Sequence, residues 1–258
     1  MAISAVEYAI FSELKKSGIL PHKPSFLEIG EANWYGDVTY DRLSNDICQL
    51  IDNSEEQITL LQALIDVVRA QQPDFLWDVA KIFYRVFLDY REIMAIDLGG
   101  TEKALRFDLN QPVNFGRQFD VVYNGGTAEH VFNVWQFFKN AHDLTVSGGF
   151  MIHGGPFTGW FDHGFFNFNP TLYWDLAAAN GYVIHRFFYT EITPLKIIPI
   201  SKREQLADIA QNGLIGTNSH IYVVFEKPDG SGEFATPQQG YYANMVSEQT
   251  KAHWQALR

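Results

Sequence analysis

The chain has 258 residues, of which 47% are hydrophobic and 19% are charged, so it is long and apolar enough to fold around a sizeable core. The 30 acidic and 19 basic side chains give a formal net charge of −11, which disfavours binding to nucleic acid or to an anionic membrane surface. The single cysteine, Cys48, excludes an internal disulfide and favours a cytoplasmic location. We predict no signal peptide and no membrane-spanning segment.

The first half of the chain is predicted to be mainly helical. Apolar residues at helical spacing predict a helix over residues 5–17, and a short apolar run over 25–29 predicts a buried strand that ends at Gly30. Further helices are predicted over residues 41–50, 55–70 and 73–90. A second buried strand is predicted over 93–97. Residues 37–75 are therefore expected to form a helical insertion after the first strand, acting as a lid, as packing decoration or as a homodimer surface.

Strands and helices are predicted to alternate in the second half. The predicted strands cover residues 119–123, 149–153, 182–189 and 220–225, and the predicted helices cover 129–141, 171–179 and 202–211. Residues 228–258 form a polar C-terminal tail. This alternation predicts a single α/β domain over residues 1–258, with a doubly wound, mostly parallel, Rossmann-like sheet and helices on both faces.

Sheets of this kind bind ligands beyond the carboxyl ends of their strands, so the residues after each predicted strand are candidates for a cofactor site. The candidates, in chain order, are Glu28, Gly30, Glu31, Gly36, Asp97, Leu98, Asp108, Leu109, Asn124 and Gly125. Taken singly, each is better explained as an ordinary turn or cap residue.

The order of these motifs resembles the class I S-adenosylmethionine-dependent methyltransferases, over roughly residues 25–190. Glu28-x-Gly30 resembles the first motif of the family, which approaches the methionine part of the cofactor. Asp97 matches the acidic residue that binds the ribose hydroxyls, and Asp108-Leu109 resembles the motif beside the adenine. The run over 119–131 resembles the fourth motif of small-molecule members. The resemblance implies S-adenosylmethionine as the cofactor and a methyl transfer reaction.

Candidates for substrate binding and proton transfer follow the predicted fourth and fifth strands. We predict His153, or His163 oriented by Asp162, as the base or substrate-orienting group, while the alternative for each histidine is a purely structural role. The predicted residues of a pocket for a small organic substrate are His130, Trp160, Phe165, Phe166 and Asn167. The alternative for this aromatic loop is packing against the sheet.

Other functions are less well supported by the sequence. The histidines lack H-x-H and H-x-x-x-H spacing, so no metal site is predicted. A dinucleotide-dependent oxidoreductase needs G-x-G-x-x-G after the first strand, whereas the turn at Gly30 has only its first glycine and carries Glu31, an anion that would repel a pyrophosphate. A non-catalytic ligand-binding module is a third hypothesis, because Ala32 and Trp34 stand where the methyltransferase motif usually has glycines.

Overall fold

The secondary structure is described by a computed structural model that covers residues 1–256. Its helices are α1 (Ala5–Ser17), α2 (Tyr40–Leu50), α3 (Ser54–Ala70), α4 (Phe75–Leu88), α5 (Val134–Leu144), α6 (Pro170–Asn180), α7 (Arg203–Gln211) and α8 (Glu248–Ala256). Its strands are β1 (Ala2–Ile3), β2 (Ser25–Ile29), β3 (Asn33–Trp34), β4 (Glu92–Ile96), β5 (Phe119–Gly125), β6 (Thr145–Thr158), β7 (Val183–Glu191), β8 (Lys196–Pro199) and β9 (Ser219–Glu226). None of these helices has the length and apolar character that a bilayer span requires.

Seven strands of the described residues form one sheet in the order β4-β2-β5-β6-β9-β7-β8. The first four of these strands pair in parallel. β9 runs antiparallel to both β6 and β7, and β8 runs antiparallel to β7. The predicted α/β class with a mostly parallel sheet is therefore confirmed, and the antiparallel strands lie in the half of the sheet beyond β6.

Two apolar cores cover the two faces of the sheet. Successive residues of a strand point to opposite faces, so Phe26 of β2 joins one core while Leu27 and Ile29 join the other. Helices α1 to α4 contribute to the core that contains Phe26, which we call the first core. Helices α5 and α6 contribute to the core that contains Leu27 and Ile29, which we call the second core. The helices therefore lie on both faces, as a doubly wound sheet requires.

The segment predicted as a helical insertion, residues 37–75, contains α2 and α3. Both helices contribute buried leucines to the first core, Leu43 from α2 and Leu64 from α3. The side chain of Gln57 ties them together by donating hydrogen bonds to the carbonyls of Cys48 and Ile51, at 2.9 and 2.7 Å. The segment is thus packed against the domain, and its role as a lid or dimer surface stays a prediction.

β6 is longer than the sequence predicts, and this changes the position of His153. The strand was expected to end at His153 because Gly154, Gly155 and Pro156 resemble a turn. The chain instead remains extended to Thr158, pairing with β9 over this stretch. A methyl group on residue 154 would lie 2.2 Å from the ring of Tyr222, so glycine is needed here for close packing within the sheet.

The aromatic cluster around Phe83 provides a test of the first core. Phe83 is fully buried, and its ring centroid lies 5.2 Å from that of Tyr8 and 4.7 Å from that of Phe87. We expect Phe83→Ala to lower the free energy of unfolding by about 3–5 kcal/mol, because it removes buried surface and leaves a cavity. Ile58→Ala, on the exposed face of α3, is the control and should change stability by less than about 0.5 kcal/mol. Urea unfolding would measure both, and equal losses would contradict the assignment of this core.

Candidate functional site

The strand order predicts a crevice between β2 and β5. From β2 the chain proceeds to its neighbour β4, and it later returns on the opposite side of β2 as β5. Such a reversal of strand order opens a crevice at the carboxyl ends of the strands. Glu28 of β2 is in register with Tyr123 of β5, and Ile29 is in register with Ile96 of β4. The turns that follow these three strands are therefore neighbours.

The turn at Gly30 is fixed by a close approach to the turn after β5. The amide of Gly30 donates a hydrogen bond to the carbonyl of Ile96 at 2.7 Å, and Gly30 has a φ of +93°. A methyl group on residue 30 would lie 2.0 Å from Oγ1 of Thr127. Only glycine satisfies both the backbone conformation and this contact.

Glu28 and Glu31 are buried acids that hold the same turn from inside. Glu28 accepts a hydrogen bond from the amide of Ala32 at 3.1 Å and is paired with the ammonium of Lys81. Burial raises the pKa of Glu28, and Lys81 opposes this shift. Glu31 accepts a hydrogen bond from the amide of Thr101 at 2.7 Å, and its Oε1 lies 3.5 Å from Nζ of Lys81. Both carboxylates are thus engaged in shaping the loops.

Asp97 is placed at the end of β4 with its carboxylate clamped by backbone amides. Its Oδ2 accepts from the amide of Glu31 at 2.8 Å, and its Oδ1 accepts from the amide of Gly99 at 2.7 Å. Asp97 is half-buried, whereas the next side chain, Leu98, is 68% exposed. A carboxylate has about four lone-pair positions, so Asp97 keeps acceptor capacity for a ligand.

Asp108 and Leu109 occupy a loop with its own structure. Asp108 is exposed, and its Oδ1 accepts hydrogen bonds from the backbone and the side chain of Asn110 at 2.9 and 2.8 Å. These hydrogen bonds lower the pKa of Asp108. Asn110 in turn accepts from the amide of Asn133 at the start of α5, and Leu109 is buried in the second core. These contacts join the loop to α5, and a contact with adenine stays a prediction.

Asn124, Gly125 and Met1 line the β5 side of the crevice. The buried Asn124 accepts from the amide of Thr127 at 2.9 Å and so holds the turn that meets Gly30. The amide of Gly125 lies 2.8 Å from the thioether sulfur of Met1. Gly36, also a cofactor candidate, is exposed beyond β3 with a φ of +99°. Met1 had not been considered as a residue of this crevice.

Beyond β5 and β6, three polar side chains converge. Glu129 belongs to a 3-10 helix (Ala128–His130) and is only 1% exposed. Its Oε1 lies 4.0 Å from Nε2 of His130 and 3.8 Å from Nε2 of His163, and its Oε2 is buried with no hydrogen-bond partner. Burial raises the pKa of Glu129 to about 7. We call these three residues the Glu129 cluster.

The aromatic loop after β6 covers this cluster from one side. The ring of Trp160 lies 5.3 Å from that of His163, and the amide of Phe165 donates to the carbonyl of Glu129 at 2.7 Å. Phe165 and Phe132 are 65% and 73% exposed and pack edge to face at 5.8 Å. An exposed apolar patch of this kind is typical of a binding surface.

The remaining residues of this loop have different roles. Asn167 donates a hydrogen bond to the carbonyl of Gly159 at 2.8 Å, which closes the base of the loop. Phe166 is half-buried and contributes to the second core. Asp162 is exposed with a φ of +60°, and the carboxylate within 4 Å of His163 is that of Glu129. The sequence therefore predicted His163 as a residue of the site but did not predict Glu129 as its acidic neighbour.

His153, the other predicted base, lies within β6, and its side chain packs against residues of the second core. It is 2% exposed, and its ring packs edge to face with those of Phe138 and Phe225, at 5.2 and 6.0 Å. Burial lowers the pKa of His153 to about 3, and its Nδ1 has no partner. A neutral, enclosed imidazole is poorly placed to receive a proton from a substrate.

Lys81 is a residue of the candidate site that sequence reasoning did not select, and Thr127 and Glu129 entered only as part of the run over 119–131. The sequence signal for Glu129 is its position directly before His130. Lys81 lies 53 residues from Glu28, and nothing in the sequence indicates that they pair.

In comparisons with known proteins, no family model and no curated protein matches the sequence. The solved N-methyltransferase NodS from Bradyrhizobium japonicum, in complex with S-adenosyl-L-homocysteine, aligns with 88% of this chain and 89% of its own, at 11% identity and a TM-score of 0.41. The [4+2]-cyclase SpnF aligns with 87% of this chain and 82% of its own, at 12% identity and a TM-score of 0.43.

An O-methyltransferase from a trans-AT PKS multienzyme of Brevibacillus brevis, also in complex with S-adenosyl-L-homocysteine, aligns with 79% of this chain and 66% of its own. Its identity is 12% and its TM-score is 0.35. Methyltransferases are thus among the solved structures to which this chain is similar, and the similarity is one of fold alone.

The buried Glu28–Lys81 pair leads to a prediction for stability. We expect Lys81→Met to lower the free energy of unfolding by about 3–5 kcal/mol, because it leaves Glu28 buried without a counter-ion. Adding Glu28→Gln should recover most of this loss, since the amide oxygen can still accept from Ala32. Urea unfolding of both single variants and the double variant would measure the coupling. Additive losses in the double variant would contradict a paired arrangement.

His153 leads to a prediction for pH dependence. Its pKa in the fold, about 3, lies below the unfolded value of 6.5, so only the unfolded chain takes up this proton as the pH falls below 6.5. Relative to His153→Leu, wild-type protein should therefore lose about 2 kcal/mol of stability between pH 7 and pH 5. His22→Gln, at an exposed position, is the control and should give a profile parallel to the wild type. Parallel profiles for wild type and His153→Leu would refute the assignment.

Proposed function

We propose that this protein is an S-adenosylmethionine-dependent methyltransferase that acts on a small organic molecule. The observation that carries the proposal is the meeting of three strand ends, where the glycine turn at Gly30 contacts the turn at Thr127 beside Asp97, whose carboxylate is held by backbone amides. The sequence motifs that resemble those of the methyltransferases occupy the ends of β2, β4 and β5, which adjoin in the sheet.

The charges at this crevice favour a cationic ligand over a phosphorylated one. Glu31 and Asp97 are acidic, and one nearby cation, Lys81, is already paired with Glu28 and Glu31. A second cation, Arg106, donates hydrogen bonds to the carbonyls of Asp97, Gly100 and Thr101. A pyrophosphate would be repelled by these carboxylates and would find no free cation in Lys81. A sulfonium has the opposite charge, which also argues against the dinucleotide-dependent oxidoreductase.

Asp97 and the position of the Met1 side chain suit the two ends of this cofactor. Asp97 can accept hydrogen bonds from ribose hydroxyls with the lone pairs that Glu31 and Gly99 leave free. On the β5 side, a thioether already fits, since the sulfur of Met1 lies 2.8 Å from the amide of Gly125. We expect the Met1 side chain to be displaced when the methionine part of the cofactor binds.

S-adenosylmethionine would supply a methyl group on a sulfonium, and the protein must align the acceptor and exclude water. The Glu129 cluster and the aromatic side chains of Trp160 and Phe165 are the groups available to hold the acceptor. His163, near Glu129, is the best placed of the predicted catalytic groups to orient the acceptor or take its proton, ahead of the enclosed His153 and the outward Asp162.

Cofactor binding can be tested with S-adenosylhomocysteine by calorimetry. We expect the wild type to bind it, and Asp97→Ala to weaken binding by about 10- to 100-fold, because hydrogen bonds to a charged acceptor are lost. Asp97→Asn keeps one acceptor oxygen and should lose less. Glu102→Ala removes an exposed acid from the same loop and should leave binding unchanged.

The outcomes separate the alternatives. Failure of the wild type to bind either S-adenosylmethionine or its product, with NADH bound instead, would overturn the proposal in favour of an oxidoreductase. Binding without methyl transfer to any acceptor in a broad screen of small molecules would favour the non-catalytic ligand-binding module.

A further inference from the structure

We propose that Glu129, His130 and His163 bind a divalent transition-metal ion. Their ligand atoms, one from each residue, all lie within 4.8 Å of one another. The three residues reach this point from two segments, the 3-10 helix after β5 and the aromatic loop after β6. The site is independent of the proposed methyl transfer, because it is defined by these side chains alone.

The carboxylate of Glu129 is the strongest reason to expect a cation. It is 1% exposed, and its Oε2 has no hydrogen-bond partner. The buried acids of the neighbouring turn, Glu28 and Glu31, are both paired with Lys81 and with backbone amides. Within the described part of the chain, Glu129 is compensated only by a hydrogen bond from its own backbone and by the charge of the N-terminus. Its Oε2 is left buried at a cost that a metal ion would remove directly.

The two imidazoles are placed to complete the coordination. The rings of His130 and His163 are 4.9 Å apart, and each Nε2 lies about as far from Glu129, at 4.0 and 3.8 Å. Ligands at zinc bond lengths of about 2.0–2.1 Å are separated by about 3.4 Å in a tetrahedral site. Each imidazole must therefore approach Glu129 by about half an ångström, and the two imidazole nitrogens, which lie within 4.8 Å of each other, must approach by at most about 1.4 Å. Both histidines are roughly half exposed and are free to make these shifts.

The donor set indicates the class of ion. Two imidazoles and one carboxylate, without sulfur, suit Zn²⁺, Fe²⁺ or Co²⁺ rather than Mg²⁺ or Ca²⁺. Three protein ligands leave at least one open position, as in catalytic rather than structural sites. Phe165 is near the cluster through its backbone, since its amide donates to the carbonyl of Glu129. An oxygen or nitrogen of a small substrate would be the natural fourth ligand.

The test uses untagged full-length protein that has been stripped of metal with a chelator and titrated with Co²⁺ and, separately, with Zn²⁺. We expect one ion per chain by calorimetry, and visible d–d absorption bands for Co²⁺ without a thiolate charge-transfer band. His163→Ala should weaken binding by at least about 100-fold, because one of three ligands is lost. His163 is 43% exposed, so this variant is expected to keep the fold, which circular dichroism would verify.

Two further variants sharpen the result. Glu129→Gln should also weaken binding, because an amide oxygen is a poorer ligand than a carboxylate. His22→Ala removes an exposed histidine elsewhere and should leave the affinity unchanged. Absence of saturable binding to the wild type, or equal affinity of the wild type and His163→Ala, would overturn the proposal. The titration contains no S-adenosylmethionine, so its failure would leave the cofactor proposal standing, and failure of cofactor binding would leave the metal site standing.

Discussion

The turns at Gly30 and Thr127 come so close that a single added methyl group on residue 30 would lie 2.0 Å from a side-chain oxygen. This contact occurs where strand order reverses, at the carboxyl ends of β2 and β5. The Gly30 turn is anchored to β4 through the carbonyl of Ile96, and the Thr127 turn is anchored by Asn124. Three adjacent strands are therefore locked together at their ends, and the crevice is shaped mainly by backbone.

Four acidic residues surround this region, and their environments divide them into two kinds. Glu28, Glu31 and Asp97 each accept a backbone hydrogen bond within the turns, so their charge is part of the fold. Glu129 is as buried as Glu28 and Glu31, but its Oε2 is left without a hydrogen-bond partner. The three acids of the turns are compensated by several partners inside the protein, whereas the buried Oε2 of Glu129 has room for a partner from outside it. The distinction depends on hydrogen bonding and not on burial alone.

The sheet and most helices could be predicted from the sequence, because short apolar runs and helical spacing are local signals. Two features of the sheet could not be predicted from such local signals. Gly154, Gly155 and Pro156 resemble a turn, but pairing with β9 keeps them in β6, so His153 lies within the strand and not at its end. β8 was not predicted, because its pairing with β7 becomes evident only in the folded chain.

The site was predictable in the same uneven way. Asp97 and Gly30 could be located because each directly follows a strand, and strand ends adjoin in a parallel sheet. The meeting of Glu129 with His163 could not be predicted, because it depends on the path of a loop that separates them by more than thirty residues. In the fold, the amide of Phe165 in that loop donates a hydrogen bond to the carbonyl of Glu129. This backbone hydrogen bond joins the loop after β6 to the 3-10 helix after β5.

The two parts of the proposed site consequently differ in rigidity. The cofactor side is held by glycine turns and amide-clamped carboxylates, whose geometry leaves little freedom. The acceptor side consists of half-exposed imidazoles and aromatic rings on a loop, around the one enclosed carboxylate of Glu129. A rigid crevice suits a cofactor of constant shape, while a side-chain loop can adapt to its acceptor. A metal ion bound to Glu129 would tie that loop to β5 and so order the acceptor side without altering the cofactor side.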